Sequence, residues 1–127
     1  MKFILNKRPK DAIIIQGMPS IGLVSTLATK FLIDHLDVEE IGHIESEDLL
    51  PLTAIHKSKI VNPITLYYNK KFNLIIVQSL TEIAGHEWEL AATMMDIAKT
   101  LTAKEIIILE SVPVTEGDLS VYYYSNK

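Results

Sequence analysis

The feature that most constrains the fold is a set of three short, uninterrupted apolar runs that are rich in β-branched residues. They lie at positions 11–16, within 72–80 as Leu-Ile-Ile-Val, and at 106–109. An apolar run of this length, without alternating polar residues, is typical of a strand buried on both faces, as in a parallel sheet. Each run is next to a predicted helix. The pattern therefore predicts an α/β fold, a three-layer sandwich built on a mixed sheet.

Shorter segments complete the predicted order of elements. Further strands are expected at 38–44, 52–56, 64–68 and 121–124, after an edge strand or arm at 1–10. The resulting order is β-α-β-β-β-β-α-β-β. The faces on which the two helices lie depend on a strand order that the sequence does not give. Since 127 residues are the length of one domain, we expect residues 1–127 to form a single α/β domain.

The first helix follows the turn Gly17-Met18-Pro19-Ser20, and it begins either with Pro19 at its first position or with Ser20 as its N-cap. Its apolar residues recur at helical spacing, so they are expected to form one buried stripe. These residues are Val24, Leu27, Ala28, Phe31 and Leu32. Gly22 lies in the first turn, where glycine costs helix stability, and we expect it to serve close packing.

The second helix, predicted over 82–101, is apolar on two sides. One stripe contains Trp88, Ala91, Ala92, Met95 and Ala98, and the other contains Leu90, Met94, Ile97 and Leu101. A helix of this kind is either deeply buried or shared with a neighbouring subunit. Together with the 48% hydrophobic content, this pattern predicts a homo-oligomer. Trp88 and Met94 are the interface candidates on this helix.

The five tyrosines are grouped at Tyr67-Tyr68 and at Tyr122-Tyr123-Tyr124. On strands they would alternate between the two faces, so about half of them should be exposed. Tyrosine combines a large apolar area with a polar tip, and it is favoured at protein interfaces. Ordinary strand packing and a partner surface both account for the cluster. For the second interpretation, Tyr122 and Tyr124 are the interface candidates.

Composition and charge exclude several classes of function. The chain has no cysteine, which excludes disulfides, thiolate zinc sites and cysteine nucleophiles. Its net charge of −4 gives no electrostatic support for a nucleic-acid partner. No apolar stretch approaches the roughly 20 residues that span a bilayer, and we expect no secretory signal. We therefore expect a cytoplasmic protein with neither a nucleic-acid nor a membrane partner.

The turn at Gly17 is the main candidate for a ligand site. Gly17 and Gly22 have the spacing of a phosphate-binding Walker loop, but Leu23 follows where its lysine is required. Pro19 stands where the second glycine of a dinucleotide fingerprint belongs. Free N–H groups at a helix start can still hold an anion. Gly17, Ser20 and Gly22 are thus anion-site candidates, although a purely structural turn is the favoured interpretation.

The remaining motifs give no catalytic or metal site. His86-Glu87-Trp88-Glu89 begins like a zinc-protease motif, but Leu90 stands where the second histidine is required. Glu87 and Glu89 suit a helix start, because the helix dipole favours negative charge there. The four histidines are scattered along the chain, and no Gly-x-Ser-x-Gly elbow surrounds a serine. We expect no catalytic residue, no metal and no cofactor.

Several short motifs follow one another in a defined order. They are Gly17-Met18-Pro19-Ser20-Ile21-Gly22-Leu23-Val24 after a strand, Gly42-His43-Ile44, Leu50-Pro51, Asn62-Pro63 and Leu66-Tyr67-Tyr68. This ordered succession resembles the proteasome assembly chaperone family, in its archaeal branch. The resemblance covers residues 11–125 in the right order. No single motif is specific, but their succession is.

The resemblance implies a fold like that of nucleoside phosphorylases without their chemistry, and a non-enzymatic role in which the protein binds proteasome subunits and self-associates. The family normally continues through a second α/β half, so residues 1–127 correspond to its N-terminal portion and are expected to be truncated relative to its full length. Because residues 125–127 are Ser-Asn-Lys, we do not expect the C-terminal hydrophobic–Tyr–any tail of some archaeal members. Val121-Tyr122-Tyr123 has its pattern but is internal, so tail docking is not supported.

Two specific hypotheses for function remain open, beside the less specific one of a purely structural oligomer. The first is a protein-binding module related to proteasome assembly chaperones, which acts through oligomerisation and through apolar and aromatic surfaces. The alternative is a small-ligand or nucleotide-binding protein, a degenerate phosphorylase-like enzyme that uses the corner between Gly17 and Gly22. It is motivated by the tendency of α/β sheets to bind ligands beyond the carboxyl ends of their strands.

Overall fold

A computed structural model describes residues 1–19, 23–49, 54–56, 58–113, 115–117 and 120–126. The strands are β1 (Lys2–Leu5), β2 (Ile13–Gly17), β3 (Glu39–Glu45), β4 (Ala54–His56), β5 (Lys59–Val61), β6 (Ile64–Asn69), β7 (Leu74–Ser79) and β8 (Glu105–Leu109). The helices are α1 (Val24–His35), between β2 and β3, and α2 (Glu87–Thr100), between β7 and β8. Among the described residues, neither helix has the length and apolar character needed to span a bilayer.

Six strands form one mixed sheet in the order β1-β3-β6-β7-β2-β8, and β4 and β5 form a separate hairpin. The three apolar runs become β2, β7 and β8, with β2 pairing in parallel to both of the others. The pairs β1–β3, β3–β6 and β6–β7 are antiparallel. The predicted α/β fold with a mixed sheet is therefore confirmed, and the buried apolar runs occupy its parallel half.

The strand order explains why the two helices lie on opposite faces of the sheet. The crossover from β2 to β3 and the crossover from β7 to β8 run in opposite directions across the sheet, and right-handed crossovers then place their helices on opposite faces. Contacts agree with this placement. Gly17 of β2 faces Ser25 and Thr29 of α1. Ile14, whose side chain points to the other face of β2, shares a core cluster with Leu90 of α2.

The hydrophobic core lies between the sheet and α2. It contains Ile14, Ile41, Ile44, Ile64, Leu66, Ile75 and Val77 from the strands, and Leu90, Met94, Ile97 and Leu101 from α2 and its C-cap. Full burial of a side chain of this size contributes roughly 1.5–3 kcal/mol to the stability of the fold. The second of the two predicted α2 stripes is thus the one that faces the core.

α1 packs on the opposite face through small polar side chains. Ser25 and Thr29 are buried, and Ser25 Oγ donates a 2.6 Å hydrogen bond to the carbonyl oxygen of Met18. Thr29 Oγ1 donates to the carbonyl oxygen of Ser25 at 2.9 Å. A Cβ added to Gly17 would lie 2.6 Å from that same carbonyl oxygen. Because Gly17 lacks a Cβ, the helix can approach β2 closely.

The prediction of a buried apolar stripe on α1 is therefore wrong. The side chains of Val24, Leu27 and Phe31 are exposed, because the small residues of α1 face the sheet instead. Close packing was expected of Gly22, which lies outside the described residues, whereas Gly17 provides it in the structure. Leu23 is the N-cap of α1, with a left-handed backbone at φ 55°, so Pro19 is not at the first position of this helix. The N-cap candidate Ser20 lies outside the described residues.

Other predicted boundaries also change. α2 begins at Glu87 rather than at residue 82, because Gly85 at φ 86° turns the chain just before it. The additional strand β5 pairs with β4. Residues 121–124, which were expected to form a strand, have neither helix nor strand structure.

Candidate protein-interaction surfaces

The outer side of α2 exposes the first of its two apolar stripes. Trp88 is 90% exposed, and Ala91, Ala92 and Met95 are exposed beside it. Their spacing of i, i+3, i+4 and i+7 places them on one side of the helix. We call these four residues the α2 surface. The opposite side of α2 lies in the core, so this helix has one buried apolar stripe and one exposed apolar stripe.

The outer side of α1 is a second apolar surface, which we call the α1 surface. It consists of Leu23, Val24, Leu27 and Phe31, and Leu27 is 60% exposed. The Phe31 ring stacks on the His35 ring with 3.9 Å between centroids. His35 Nδ1 lies 2.8 Å from the carbonyl oxygen of Phe31, to which it can donate a hydrogen bond. This pairing holds an exposed aromatic ring in a defined position.

The edge strand β8 adds exposed isoleucines beside these helices. Ile107 and Ile108 are both exposed, and since neighbouring residues of a strand point to opposite faces, they lie on opposite sides of the sheet. Ile107 pairs in register with Ile15, so it lies on the α1 face. In the part of the chain that the structure describes, no strand pairs with the outer edge of β8. An open edge with apolar residues on both faces is a site for further pairing.

The tyrosine cluster near the C-terminus lies in an irregular segment. Tyr124 is 93% exposed, and Tyr122 also exposes most of its surface. Tyr67 and Tyr68 are half-buried on β6, where the Tyr68 hydroxyl donates a 2.8 Å hydrogen bond to Asn73 Oδ1. Ordinary strand packing thus accounts for the β6 pair but not for Tyr122 and Tyr124.

Of the interface candidates from the sequence, three are accessible and one is not. Trp88, Tyr122 and Tyr124 are exposed, but Met94 is 2% exposed and packs in the core. The correction follows from helical spacing, because Met94 is three and four residues away from Ile97 and Leu90, which also face the core. The accessible methionine of α2 is Met95.

The corner at Gly17 is filled by the protein itself. The space beside the Gly17 Cα is occupied by Ser25 and Thr29 of α1, so the missing side chain serves helix packing rather than the approach of a phosphate. Ser20 and Gly22, the other anion-site candidates, lie outside the described residues. The small-ligand alternative gains no support from Gly17.

A polar groove lies at the edge of the sheet where β3 ends, with a volume of about 520 Å³. It is lined by Met1, Lys2, Glu45, Ser46, Glu47 and Asp48. His43 Nε2 lies 2.9 Å from Glu45 Oε1, and Lys2 Nζ lies 3.1 Å from Glu45 Oε2. The hydrogen bond with His43, followed by the one with Lys2, holds the pKa of Glu45 below its usual value. Glu45 is thus a stable carboxylate beside this groove.

Next to this groove, the fold joins three groups from two segments that are distant in the sequence. Asp48, in the loop after β3, meets His86 and Glu89 at the start of α2, and their potential ligand atoms all lie within 4.8 Å of one another. The histidine motif at 86–89 lacks its second histidine, so sequence spacing alone did not reveal this cluster. The predicted helix-start position of Glu87 and Glu89 is confirmed.

Two solved structures from Pyrococcus furiosus are similar to this chain. PbaA in its monoclinic form, an archaeal homolog of proteasome-assembly chaperone, is 25% identical with a TM-score of 0.79, over 94% of this chain and 50% of that one. PbaB, an archaeal proteasome activator, is 28% identical with a TM-score of 0.70, over 92% of this chain and 54% of that one. The chain thus spans about half the length of each.

A curated relative and a family model agree with these likenesses. An uncharacterised protein of Methanocaldococcus jannaschii is 32% identical over 77 residues, which cover 59% of this chain and 32% of the relative. The model of the PAC2 family matches residues 14–127. These findings confirm the resemblance to archaeal proteasome assembly chaperones that the motif order indicated. On the extent of the family match, the chain belongs to the PAC2 family.

Proposed function

We propose that this chain is a non-enzymatic protein-binding module of proteasome assembly, which self-associates and binds proteasome subunits through its apolar and aromatic surfaces. Membership of the PAC2 family supports the proposal, as does similarity to PbaA and PbaB. Because the chain spans about half of those proteins, their roles are carried over here as a proposal.

The observation that carries the proposal is the outward apolar stripe of α1. Leu23, Val24, Leu27 and Phe31 are exposed together although polar residues could occupy the same positions without affecting the packing of α1 on the sheet. Contiguous exposed apolar surface is limited on monomeric proteins, and larger patches mark interaction sites. In the isolated chain this stripe stays in contact with water. Its burial against a partner would therefore stabilise the complex through the hydrophobic effect.

We assign the α1 surface to a second copy of the chain. Ile107 on the open edge strand β8 lies on the same face of the sheet as α1, so one copy could cover both. The similar structures have about twice as much chain, and two copies would supply a comparable amount. Soluble homo-oligomers are usually symmetric, so we expect the copies to associate symmetrically.

We assign the α2 surface to a proteasome subunit. Trp88 projects from it with almost its whole side chain exposed. Tryptophan and tyrosine are enriched among the few residues that dominate the free energy of protein association, where they fill pockets on the partner. Tyr122 and Tyr124 are further exposed aromatic anchors.

Sedimentation velocity of the 127-residue chain tests the first assignment. We expect a concentration-dependent oligomer that Leu27→Glu dissociates, since a carboxylate would be buried without a partner. Lys99→Glu, at an exposed position of α2 on the opposite face of the sheet, is the control and should leave the oligomer intact. A wild-type chain that stays monomeric at high concentration would contradict self-association.

Binding to immobilised archaeal proteasome α subunits tests the second assignment. We expect micromolar or tighter binding, and Trp88→Ala should weaken it by about tenfold or more, as for an anchor residue. Leu27→Glu, which targets the other surface, should reduce binding only as far as the oligomer contributes avidity. No binding at micromolar concentrations, or equal binding by Trp88→Ala, would overturn the assignment.

A further inference from the structure

We propose that Asp48, His86 and Glu89 form a binding site for a divalent transition-metal cation such as Zn²⁺. The three side chains come from two separate segments, the loop after β3 and the first turn of α2. Their candidate ligand atoms lie within 4.8 Å of one another. Ligands at about 2.0–2.2 Å from one zinc ion lie about 3–4 Å apart, so small rotations of the two exposed carboxylates would complete the site.

The unsatisfied nitrogen of His86 is a second observation that points to a ligand. The Nδ1 atom of His86 is shielded from solvent, within a side chain that is 27% exposed, and it has no hydrogen-bond partner among the described residues. Glu89 Oε1 lies 3.5 Å away, which is long for a hydrogen bond. Buried polar groups in native proteins are normally satisfied, and an orphan calls for an explanation such as a bound ion. A cation between the imidazole and the carboxylates would satisfy the Nδ1 lone pair.

The charge around the cluster also favours a cation. Asp48 and Glu89 bring two carboxylates close together, and within the described ranges no cation pairs with Asp48. Glu89 has one positive partner, the α-ammonium group of Met1, with 3.7 Å between nitrogen and Oε2. One ammonium group does not balance two carboxylates, and the start of α2 offsets only part of the remaining charge. A divalent ion would balance both.

The donor set selects the class of metal. Calcium and magnesium prefer sites made of oxygen atoms alone, whereas an imidazole nitrogen with carboxylates suits zinc and neighbouring transition metals. Three protein ligands leave a fourth position for water or for a group from a partner. The adjacent groove, lined by Met1, Lys2 and the 45–48 loop, gives access to that position. The bound ion would fasten this loop to the start of α2.

Titration of the 127-residue chain with Co²⁺ and with Zn²⁺ tests the proposal. Co²⁺ is followed by its visible absorption, which reports coordination number, and Zn²⁺ by calorimetry and by displacement of bound Co²⁺. We expect one ion per chain and a rise in melting temperature with Zn²⁺. Asp48→Asn, His86→Ala and Glu89→Gln should each weaken binding at least tenfold, and should abolish the rise in melting temperature.

Matched controls separate this cluster from general surface charge. Glu47→Gln and Glu87→Gln remove the same charge from exposed neighbours of Asp48 and Glu89, and His43→Ala removes the histidine that pairs with Glu45. All three should bind as the wild type does. Undetectable binding at 100-fold molar excess of metal would overturn the proposal. So would an equal loss of metal affinity in the control variants. If His86→Ala fails to fold, the two carboxylate variants decide the result, since both side chains are exposed.

Discussion

α1 and α2 are helices of 12 and 14 residues on opposite faces of one sheet, and they are attached to it by different chemistry. α2 and its C-cap place four large apolar residues in the core, and the outward stripe of the helix is also apolar. α1 instead faces the sheet with Ser25 and Thr29, beside Gly17, and all of its large exposed apolar residues point away.

The difference shows that an apolar stripe in the sequence indicates a helix side that becomes buried. It does not indicate whether the same chain or another molecule buries it. α2 gains stability within the chain through burial of its inner stripe. α1 gains close contact through small side chains, and its apolar stripe would be covered only by another molecule. The two helices therefore predict opposite responses to mutation of the same residue type.

The largest expected effect is a contrast between two leucine-to-alanine substitutions. Leu90→Ala in the core side of α2 should lower the free energy of unfolding by about 2–5 kcal/mol, through lost burial and a residual cavity. Leu27→Ala on α1 should change it by no more than about 0.5 kcal/mol, because that side chain is exposed. Urea unfolding of both variants at a concentration where the chain is monomeric measures the contrast.

Chain concentration sharpens this test. If Leu27→Ala has its effect only at concentrations where the wild type self-associates, the lost burial is between copies. Equal losses for Leu27→Ala and Leu90→Ala in the monomer would show that α1 packs with its apolar side inward, contrary to the structure.

These helices also explain what the sequence could and could not predict. The mixed α/β fold follows from local pattern, since apolar runs and helical periodicity are properties of neighbouring residues. The direction in which the α1 stripe points depends on a close approach between Gly17 and Ser25, which are on different elements. Periodicity gives the apolar side of a helix, but it does not give the side that faces the sheet.

The candidate metal cluster was beyond sequence prediction for a related reason. Asp48 and His86 are separated by four strands and by loops, and only the strand order brings the end of β3 and the start of α2 to the same edge of the sheet. Trp88, Tyr122 and Tyr124 could be predicted as interface candidates from the sequence, because tryptophan and tyrosine are enriched at interfaces. Met94 and Met95 are adjacent on the helix, and helix orientation alone decides which of them is buried.

A smaller effect is expected from the glycine that brings α1 close to the sheet. Gly17→Ala places a methyl group 2.5 Å from Thr29 Cγ2 and 2.6 Å from the Ser25 carbonyl oxygen. Overpacking of this kind should cost about 1–3 kcal/mol of stability. Thr29→Ser removes the nearest clashing atom, so it should recover part of that loss in the Gly17→Ala background.

A double-mutant cycle over Gly17 and Thr29 measures this recovery directly. Contacting residues should show a coupling free energy of at least about 0.5 kcal/mol, whereas independent sites are additive. Additive losses would mean that the helix and strand are farther apart than the structure shows. The α2 side offers the control, since Met95→Ala on its exposed face should show no coupling to Gly17→Ala.

The smallest expected effect reports how well the α1 face of the sheet is covered. Burial, helped by the charge of Glu40, raises the pKa of Tyr67 above its ordinary value of 10.0. Tyr67 pairs in register with Ile76, on the face of β7 opposite to the core cluster with α2. Since the folded state holds the phenolic proton more tightly, the contribution to stability is complete below pH 10 and is lost as pH rises through the folded pKa.

Tyr67→Phe should therefore make the alkaline fall in unfolding free energy shallower. Absorbance of tyrosinate at high pH checks the assignment, and an unchanged alkaline slope in Tyr67→Phe would show that the α1 face is open to water at this residue.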